Sequence, residues 1–434
     1  MATRNDITCQ LLVIGSGMAG MAASLFAALR GIDTIQVGPA GTLPFASGML
    51  DFLGVHPVHT GRLLPNPWDG ITQLRQDEPD HPYAVINDRD MRTAWKLVLA
   101  NLTDAGLPYT AHPDRNMRMI SPVGTDKLTY AVPRTMMAAD EARRCRPPCL
   151  LVDFPGLKGF SARQIAANLQ SRWPALRTAR LSIPALKGEL QPERLARFLE
   201  NADPCRELAD AIKSRLADAQ AVGLPAVVGL HRAARLFDLM QERIGVPLFE
   251  IPTLLPSVPG RRLRDAFIRQ LSRLGVRTWY QHAVQKAQTR LGDALRFRIG
   301  NATDGFWIQS RAAILATGRF LGRGLHAERT IIRENLFDLP VHQPGKREQW
   351  HHKDLLHPEG HAINRAGLMV DARFRPVDQD GLPRHLHLFA AGSILAHQDW
   401  VRQKCGSGLA ITSAYAAVAA CAKLARDREG ALSP

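Results

Sequence analysis

Cys9–Gly31 reads C-Q-L-L-V-I-G-S-G-M-A-G-M-A-A-S-L-F-A-A-L-R-G, and this stretch decides the fold. Leu11–Ile14 is an apolar run of the kind that forms a fully buried parallel strand. Gly15, Ser16 and Gly17 turn the chain, and the alanine-rich segment Met18–Arg30 predicts a helix. The spacing is G-x-G-x-x-G between a strand and a helix, the setting in which it binds a nucleotide or flavin phosphate. Gly15 permits the tight turn, Gly17 admits a phosphate to the backbone, and Gly20 lets helix and strand pack closely. The unpaired N–H groups of the helix start, with its positive dipole end, complete an anion site. Thr34–Gly38 predicts the next strand. A dinucleotide fold ends that strand in an acid that accepts hydrogen bonds from a ribose. Here the place falls at Gly38, beside Gln36 and Val37, with no carboxylate. A flavin phosphate fits this pattern better than an adenosine ribose does.

The rest of the chain is read around that unit. With 434 residues, 45% of them hydrophobic, it is long enough for two lobes. Its 55 Lys and Arg against 40 Asp and Glu give a net charge of +15, which suits phosphorylated substrates, acidic partners or an anionic membrane surface. Basic and aromatic residues do not interleave as in RNA-binding motifs, so no nucleic-acid partner is assigned. Six scattered cysteines lack both a disulfide framework and iron–sulfur spacing. No signal peptide is read at the N-terminus, and Leu409–Ala425 is taken as a buried helix.

Three later stretches complete the pattern. The small residues Ala46, Ser47 and Gly48 form a loop able to lie flat against a ligand ring. A basic helix, Arg261–Leu274, a strand, Val276–Tyr280, and a ribbon with turns near Gly292 and Gly300 lead to A-T-G at Ala316–Gly318, with Thr317 and Gly318 at a strand end. Finally His387–Ala391 delivers Gly392 and Ser393 to a strand end, and Gly406, Ser407 and Gly408 open the last helix. Open α/β sheets bind ligands at such ends, and a helix start there stabilises the charge a flavin ring gains on reduction. The fold class is therefore α/β: a Rossmann-like flavin-binding domain with an inserted α+β cap or substrate lobe. Its expected boundaries are 1–60, 260–320 and 366–434 for the flavin domain, and 61–259 with 321–365 for the cap. Within the cap, helices are expected at Arg89–Ala105, Ser161–Arg172 with Ser161 as N-cap, and Arg206–Ala219, and strands at Leu150–Phe154 and Ala226–Leu230.

The motifs G-S-G-M-A-G, A-S-G-M-L-D-F-L, D-H-P-Y-A-V, L-P-S-V-P-G-R-R-L, I-L-A-T-G-R-F and Q-K-C-G-S-G resemble those of two-lobed FAD-binding oxidoreductases. More narrowly, the chain is similar to the B-subunit family of anaerobic glycerol-3-phosphate dehydrogenases, over nearly its whole length. That resemblance implies oxidation of sn-glycerol 3-phosphate to dihydroxyacetone phosphate, with electrons sent to membrane quinone. It implies FMN as cofactor, with FAD the second choice. It also implies an FAD-bearing catalytic subunit and a membrane-associated iron–sulfur subunit as partners, and a cytoplasmic location peripheral to the inner membrane through them. Two other readings stay open: a scaffolding subunit that has lost its cofactor, and a free-standing FAD-dependent oxidoreductase of another small substrate.

Alcohol oxidation needs a base for the hydroxyl proton and cations for a phosphate. Arg261, Arg262, Arg319 and Arg323 are the candidate cations, and His397 the histidine nearest in sequence to the flavin edge. None of them is assigned as catalytic. His342, His351, His352, His357 and His361 gather in one stretch, but without a metal-ligand pattern, and no metal is assigned.

Overall fold

The structure, a computed structural model, describes residues 7–39, 41–186, 188–289, 294–301 and 305–431. The backbone divides into two compact units. One comprises Met1–Thr42, Phe52–Val98 and Arg269–Pro434; the other comprises Leu43–Asp51 and Leu99–Ile268.

The first unit is built on a seven-stranded sheet. In chain order its elements are β1 (Ile7–Ile14), α1 (Met18–Ala28), β2 (Thr34–Gly38), β3 (Arg277–Tyr280), β4 (Val284–Thr289), β5 (Leu295–Ile299), β6 (Phe306–Leu315), β7 (Leu388–Ala390) and α2 (Gly406–Ala431). The spatial order is β3-β2-β1-β6-β5-β4, with β7 also on β6. β1 lies parallel to both neighbours, Leu11 standing opposite Thr34 on one side and Ala312 on the other. Leu11, Leu12, Val13 and Ile14 are all buried, so both faces of this central strand are covered, which is why its apolar run is continuous. β6 pairs antiparallel with β5 through Phe306–Ser310 and parallel with β7 through Ala313–Leu315. The antiparallel ribbon is as expected, Gly300 lies at its described turn, and Gly292 lies outside the described residues.

α1 is buried on nearly every side, as an alanine-rich helix with no polar face must be. It packs against α2, with the Phe26 and Tyr415 rings edge to face at 5.2 Å. Gly406–Leu424 is, among the described residues, the one helix long and apolar enough to cross a membrane. In this fold Leu409, Ile411, Ala414 and Val418 are buried side chains of the unit's own core.

The second unit holds a four-stranded parallel sheet, ordered Leu176–Arg180, Cys149–Asp153, Ala221–Pro225, Leu248–Ile251. Helices Ala162–Leu169, Ala202–Lys213 and Ala233–Ile244 connect these strands, and two antiparallel ribbons accompany them. Ser161 caps its helix as expected, accepting the Gln164 N–H at 3.3 Å. The strand expected at Ala226–Leu230 lies one segment earlier, at Ala221–Pro225. Ala226–Leu230 is a buried loop, because its polar backbone is satisfied by side chains: Glu250 accepts the Val228 N–H, and Arg262 donates to the carbonyls of Val228 and Gly229.

The expected domain boundaries differ from these units. Phe52–Val98 belongs with the first unit, since the Gln403 carbonyl accepts both the Gly54 and Val55 N–H groups. The 321–365 stretch belongs there too, His342 pairing with Gly367 in both directions. Leu43–Asp51 belongs with the second.

Candidate functional site

In the first unit the Gly15–Gly17 turn has the geometry its residues foretold. Gly15 has φ +124°, and a Cβ there would strike the Ala316 carbonyl of the strand end beside it. A Cβ on Gly20 would overlap the Gly15 carbonyl, so helix and turn touch backbone to backbone. Gly17 is different. Among the described residues nothing lies closer to its Cβ position than Thr42 Oγ1 at 3.7 Å, and no side chain of them caps α1 there. Open space in front of uncapped N–H groups is what an incoming phosphate requires.

The place for a ribose-binding acid is filled by the fold itself. Gln36 is fully buried: its Nε2 donates to the Gly15 carbonyl at 3.0 Å, and its Oε1 accepts from Tyr280 Oη at 3.3 Å. A Cβ on Gly38 would come 2.9 Å from the Ser16 nitrogen. Ser16 Oγ then donates to the Pro39 carbonyl and accepts the Gly41 N–H, at 3.0 Å for the latter. The chain leaving β2 therefore folds back on the glycine turn, without a carboxylate.

The other first-unit glycines meet at the strand ends. Gly318, with φ +69°, follows β6, and a Cβ there would lie 3.5 Å from Ser393 Oγ, which brings Thr317, Gly318 and Ser393 together. Gly392 donates its N–H to Ser413 Oγ of α2 at 2.9 Å and leaves only 2.5 Å between a Cβ and that of Ala19. The first helical bond of α2 runs from the Leu409 N–H to the Cys405 carbonyl, so the N–H groups of Gly406, Ser407 and Gly408 lie ahead of the hydrogen-bonded ladder. Gly408 packs on Phe52 and Tyr83, whose hydroxyl donates to the Phe52 carbonyl at 2.8 Å. The D-H-P-Y-A-V motif thus braces the Q-K-C-G-S-G motif. His81, buried and held neutral down to about pH 3 chiefly by loss of hydration, accepts the Tyr83 N–H at Nδ1 and faces Gln403 Oε1 at 3.3 Å.

In the second unit Ala46, Ser47 and Gly48 form the other expected loop. Ser257 Oγ donates to the Ala46 carbonyl at 2.5 Å, and the Ser257 N–H reaches the Pro44 carbonyl at 2.9 Å. A Cβ on Gly48 would lie 2.5 Å from that of Pro259, and Tyr109 Oη donates to the Gly48 carbonyl at 2.8 Å. A-S-G-M-L-D-F-L and L-P-S-V-P-G-R-R-L, distant in sequence, are packed on one another here.

The expected cations are largely committed elsewhere. Arg319 is half-buried and donates to the carbonyls of Ser393, Asn364, Leu395 and Gln398; loss of hydration lowers its pKa to about 10. It clasps a loop with four of its five N–H groups, which leaves at most one for a phosphate. Arg262 is buried in a two-point pair with Glu250, at 2.6 and 3.0 Å. Arg261 pairs with Glu193 at 2.8 Å, and Arg323 is exposed in a left-handed turn. These three are poor phosphate ligands as they stand, because a guanidinium already paired or solvated gains little from another anion. His397 stands beside His342, a partner that sequence order did not reveal; their ring centroids are 4.1 Å apart.

Among the remaining histidines, polar atoms of His352, His357 and Glu359 lie within 4.8 Å of one another. His352 and His357 stack face to face at 3.7 Å, and His357 Nδ1 accepts the Glu359 N–H, which leaves its proton on the outer nitrogen. The thiols of Cys9, Cys149 and Cys421 are pushed up to about 12 by burial and are not poised as thiolates.

Comparison with known proteins places these features in context. Residues 10–409 match the FAD binding domain family. A probable B subunit of the anaerobic glycerol-3-phosphate dehydrogenase of Halobacterium salinarum is 33% identical, covering 97% of this chain and 99% of its own. The corresponding B subunit of the Vibrio cholerae anaerobic glycerol-3-phosphate dehydrogenase is 28% identical over 94% of each chain. Among solved structures, the 3-ketosteroid delta1-dehydrogenase of Sterolibacterium denitrificans aligns over 96% of this chain and 100% of its own, with 11% identity and a TM-score of 0.43.

Proposed function

We propose, from the premise that this chain belongs to the FAD binding domain family and to the B-subunit family of anaerobic glycerol-3-phosphate dehydrogenases, that it carries the flavin of a glycerol-3-phosphate-oxidising complex. The substrate would be sn-glycerol 3-phosphate, the product dihydroxyacetone phosphate, and the electrons would pass on to membrane quinone. The observation that carries the reading is the Gly15–Gly20 turn, where open space at Gly17 meets an uncapped helix start.

These residues fit a flavin phosphate, which the Gly15–Gly17 backbone and the α1 N–H groups would hold. The N–H groups of Gly406–Gly408 would face the charge that develops on the ring. A bound flavin supplies the two-electron acceptor for the alcohol carbon. FMN is the preferred flavin and FAD the second choice. Support comes from Gln36, an amide facing inward where an adenosine ribose would need a carboxylate facing out. An FAD-bearing subunit and an iron–sulfur subunit are the proposed partners, with the complex on the cytoplasmic face of the membrane. The net charge of +15 supports contact with an anionic surface.

The test is the absorption spectrum of the purified chain, followed by denaturation and chromatography of the released flavin. FMN at one per chain is the expected result. Released FAD would overturn the Gln36 argument while keeping the oxidoreductase. A colourless chain that takes up neither flavin would leave the scaffold reading in its place.

A further inference from the structure

We propose that His342 and His397 are the proton-accepting pair of this site: His397 takes the hydroxyl proton of the alcohol, and His342 positions it and sets its basicity. The proposal rests on the oxidoreductase reading above and concerns side chains that no glycine motif identifies.

The backbone brings the two histidines together. The His342 N–H donates to the Gly367 carbonyl at 2.8 Å and the Gly367 N–H returns the bond at 3.0 Å. The next residue, Leu368, pairs in parallel with Leu395, its N–H reaching the Ile394 carbonyl at 2.8 Å while its carbonyl accepts the Ala396 N–H at 2.9 Å. Three extended segments therefore run side by side, and a Cβ on Gly367 would lie 2.6 Å from the Ala396 nitrogen, so nothing can separate them. His397 then turns left-handed, φ +62°, a conformation unfavourable for a side-chain-bearing residue and held here by its N–H bond to the Arg365 carbonyl at 3.0 Å. Arg319 fixes the same loop through the carbonyls on either side of His397, those of Leu395 and Gln398. The result is two half-buried imidazoles with centroids 4.1 Å apart and planes 41° apart.

Among the described residues, no ring nitrogen of either histidine makes a hydrogen bond. This separates the pair from its neighbours: both nitrogens of His81 are engaged, and Glu78 ties Arg365 at 3.0 Å. The charged and titratable groups around the pair are Asp80 and His81 from the segment before Tyr83, Arg365 with Glu78, and Arg319 and Asp399 flanking the loop. Burial holds both imidazoles below the ordinary histidine value, and His342 lowers His397 further. Two imidazolium ions at this separation repel, so near neutral pH the pair is uncharged and able to take up one proton, with Asp80 as the stabilising anion. In the reaction the alcohol C–H bond would break with both its hydrogen and its electron pair leaving as hydride to the oxidised flavin. The O–H bond breaks, its proton goes to His397, and a C=O bond forms.

The experiment uses the full chain loaded with flavin and labelled with ¹⁵N-histidine. Ring signals are followed between about pH 4.5 and 8.5, with His397→Gln as the assignment control. In the parent chain His397 is expected to titrate below the ordinary histidine value, and His342→Gln to raise its midpoint by about half a unit or more. Rapid mixing with glycerol 3-phosphate then reads flavin bleaching. His397→Gln is expected to slow it about 10²–10⁴-fold, and His342→Gln to move the acid limb of the rate by the same amount as the NMR midpoint. With flavin bound and bleached by substrate, a His397 midpoint unmoved by His342→Gln, or a full rate in His397→Gln, overturns the pair alone. A chain that binds no flavin overturns the flavin-carrying reading and this role together, whereas bound flavin that the substrate leaves unreduced in the parent overturns this role and leaves the flavin-carrying reading standing.

Discussion

Gln36 illustrates how one side chain can be read correctly for what it is not. The missing carboxylate at the end of β2 was visible in the sequence, but the use made of the amide was not. One of its two hydrogen bonds goes to the nearby Gly15 carbonyl, but the other comes from Tyr280, on a strand more than two hundred residues away. Gln36→Glu would set a carboxylate oxygen against the Gly15 carbonyl oxygen in a site with no access to water. Such a change costs about 1–3 kcal/mol for the buried group left without a donor. Urea unfolding is expected to show that loss, with released flavin unchanged in identity; a switch to FAD would show that the acid alone selects the cofactor. Arg319 and His397 teach the complementary lesson. Their residue types suited chemistry equally well, and only burial and partners separate the clasp from the candidate base.

Among elements, those with their cause in local sequence were the legible ones. β1, the glycine turn and α1 follow one another with nothing intervening, and Ser161 caps its helix from the adjacent position. Ala226–Leu230 failed because its apolar pattern suits a strand, while its hydrogen bonds come from Glu250 and Arg262 in two later elements. Arg262 sits in the first turns of the helix Val258–Arg273, and Thr135 also donates to Glu250, at 2.7 Å. Arg262→Met alone leaves that carboxylate buried without its cation and is expected to cost about 3–5 kcal/mol. Adding Glu250→Leu should restore much of it. Denaturant midpoints of the single and double variants measure both; an additive loss would mean that the two residues are not energetically paired. The contact between Ala46–Gly48 and Ser257–Gly260 was likewise out of reach, since no periodicity links two loops so far apart.

At the scale of the whole molecule, the first unit buries uncharged histidines, and that determines its response to acid. His81 is held to about 3 against an ordinary 6.5, with His342 and His397 lowered in the same sense. A histidine lowered on folding binds more protons when unfolded, so stability is intact above about 6.5 and declines as pH falls towards 3. Each such group contributes at most about 1.4 kcal/mol per pH unit in that window. The urea midpoint at pH 5 is therefore expected to lie below that at pH 7, and His81→Gln to flatten the difference; a midpoint independent of pH would contradict the burial of these rings. The sequence carried the architecture of this unit well, because strand ends and glycines announce themselves. It carried the unit boundaries poorly, because these depend on returns such as Gln403 to Gly54 and His342 to Gly367.

The packing of α1 on α2 also has a consequence in time. α1 leaves the ribosome early, with its glycine turn, yet the helix that covers it and the acceptors that Arg319 clasps come hundreds of residues later. At about 5–20 residues per second the interval is on the order of a minute. Through that interval an apolar helix waits without its partner, available to chaperones or to neighbouring nascent chains. Synthesis must therefore run through almost the whole message before the phosphate turn acquires its final surroundings, and a ribosome stalled late would carry a nearly full-length chain unable to retain a flavin.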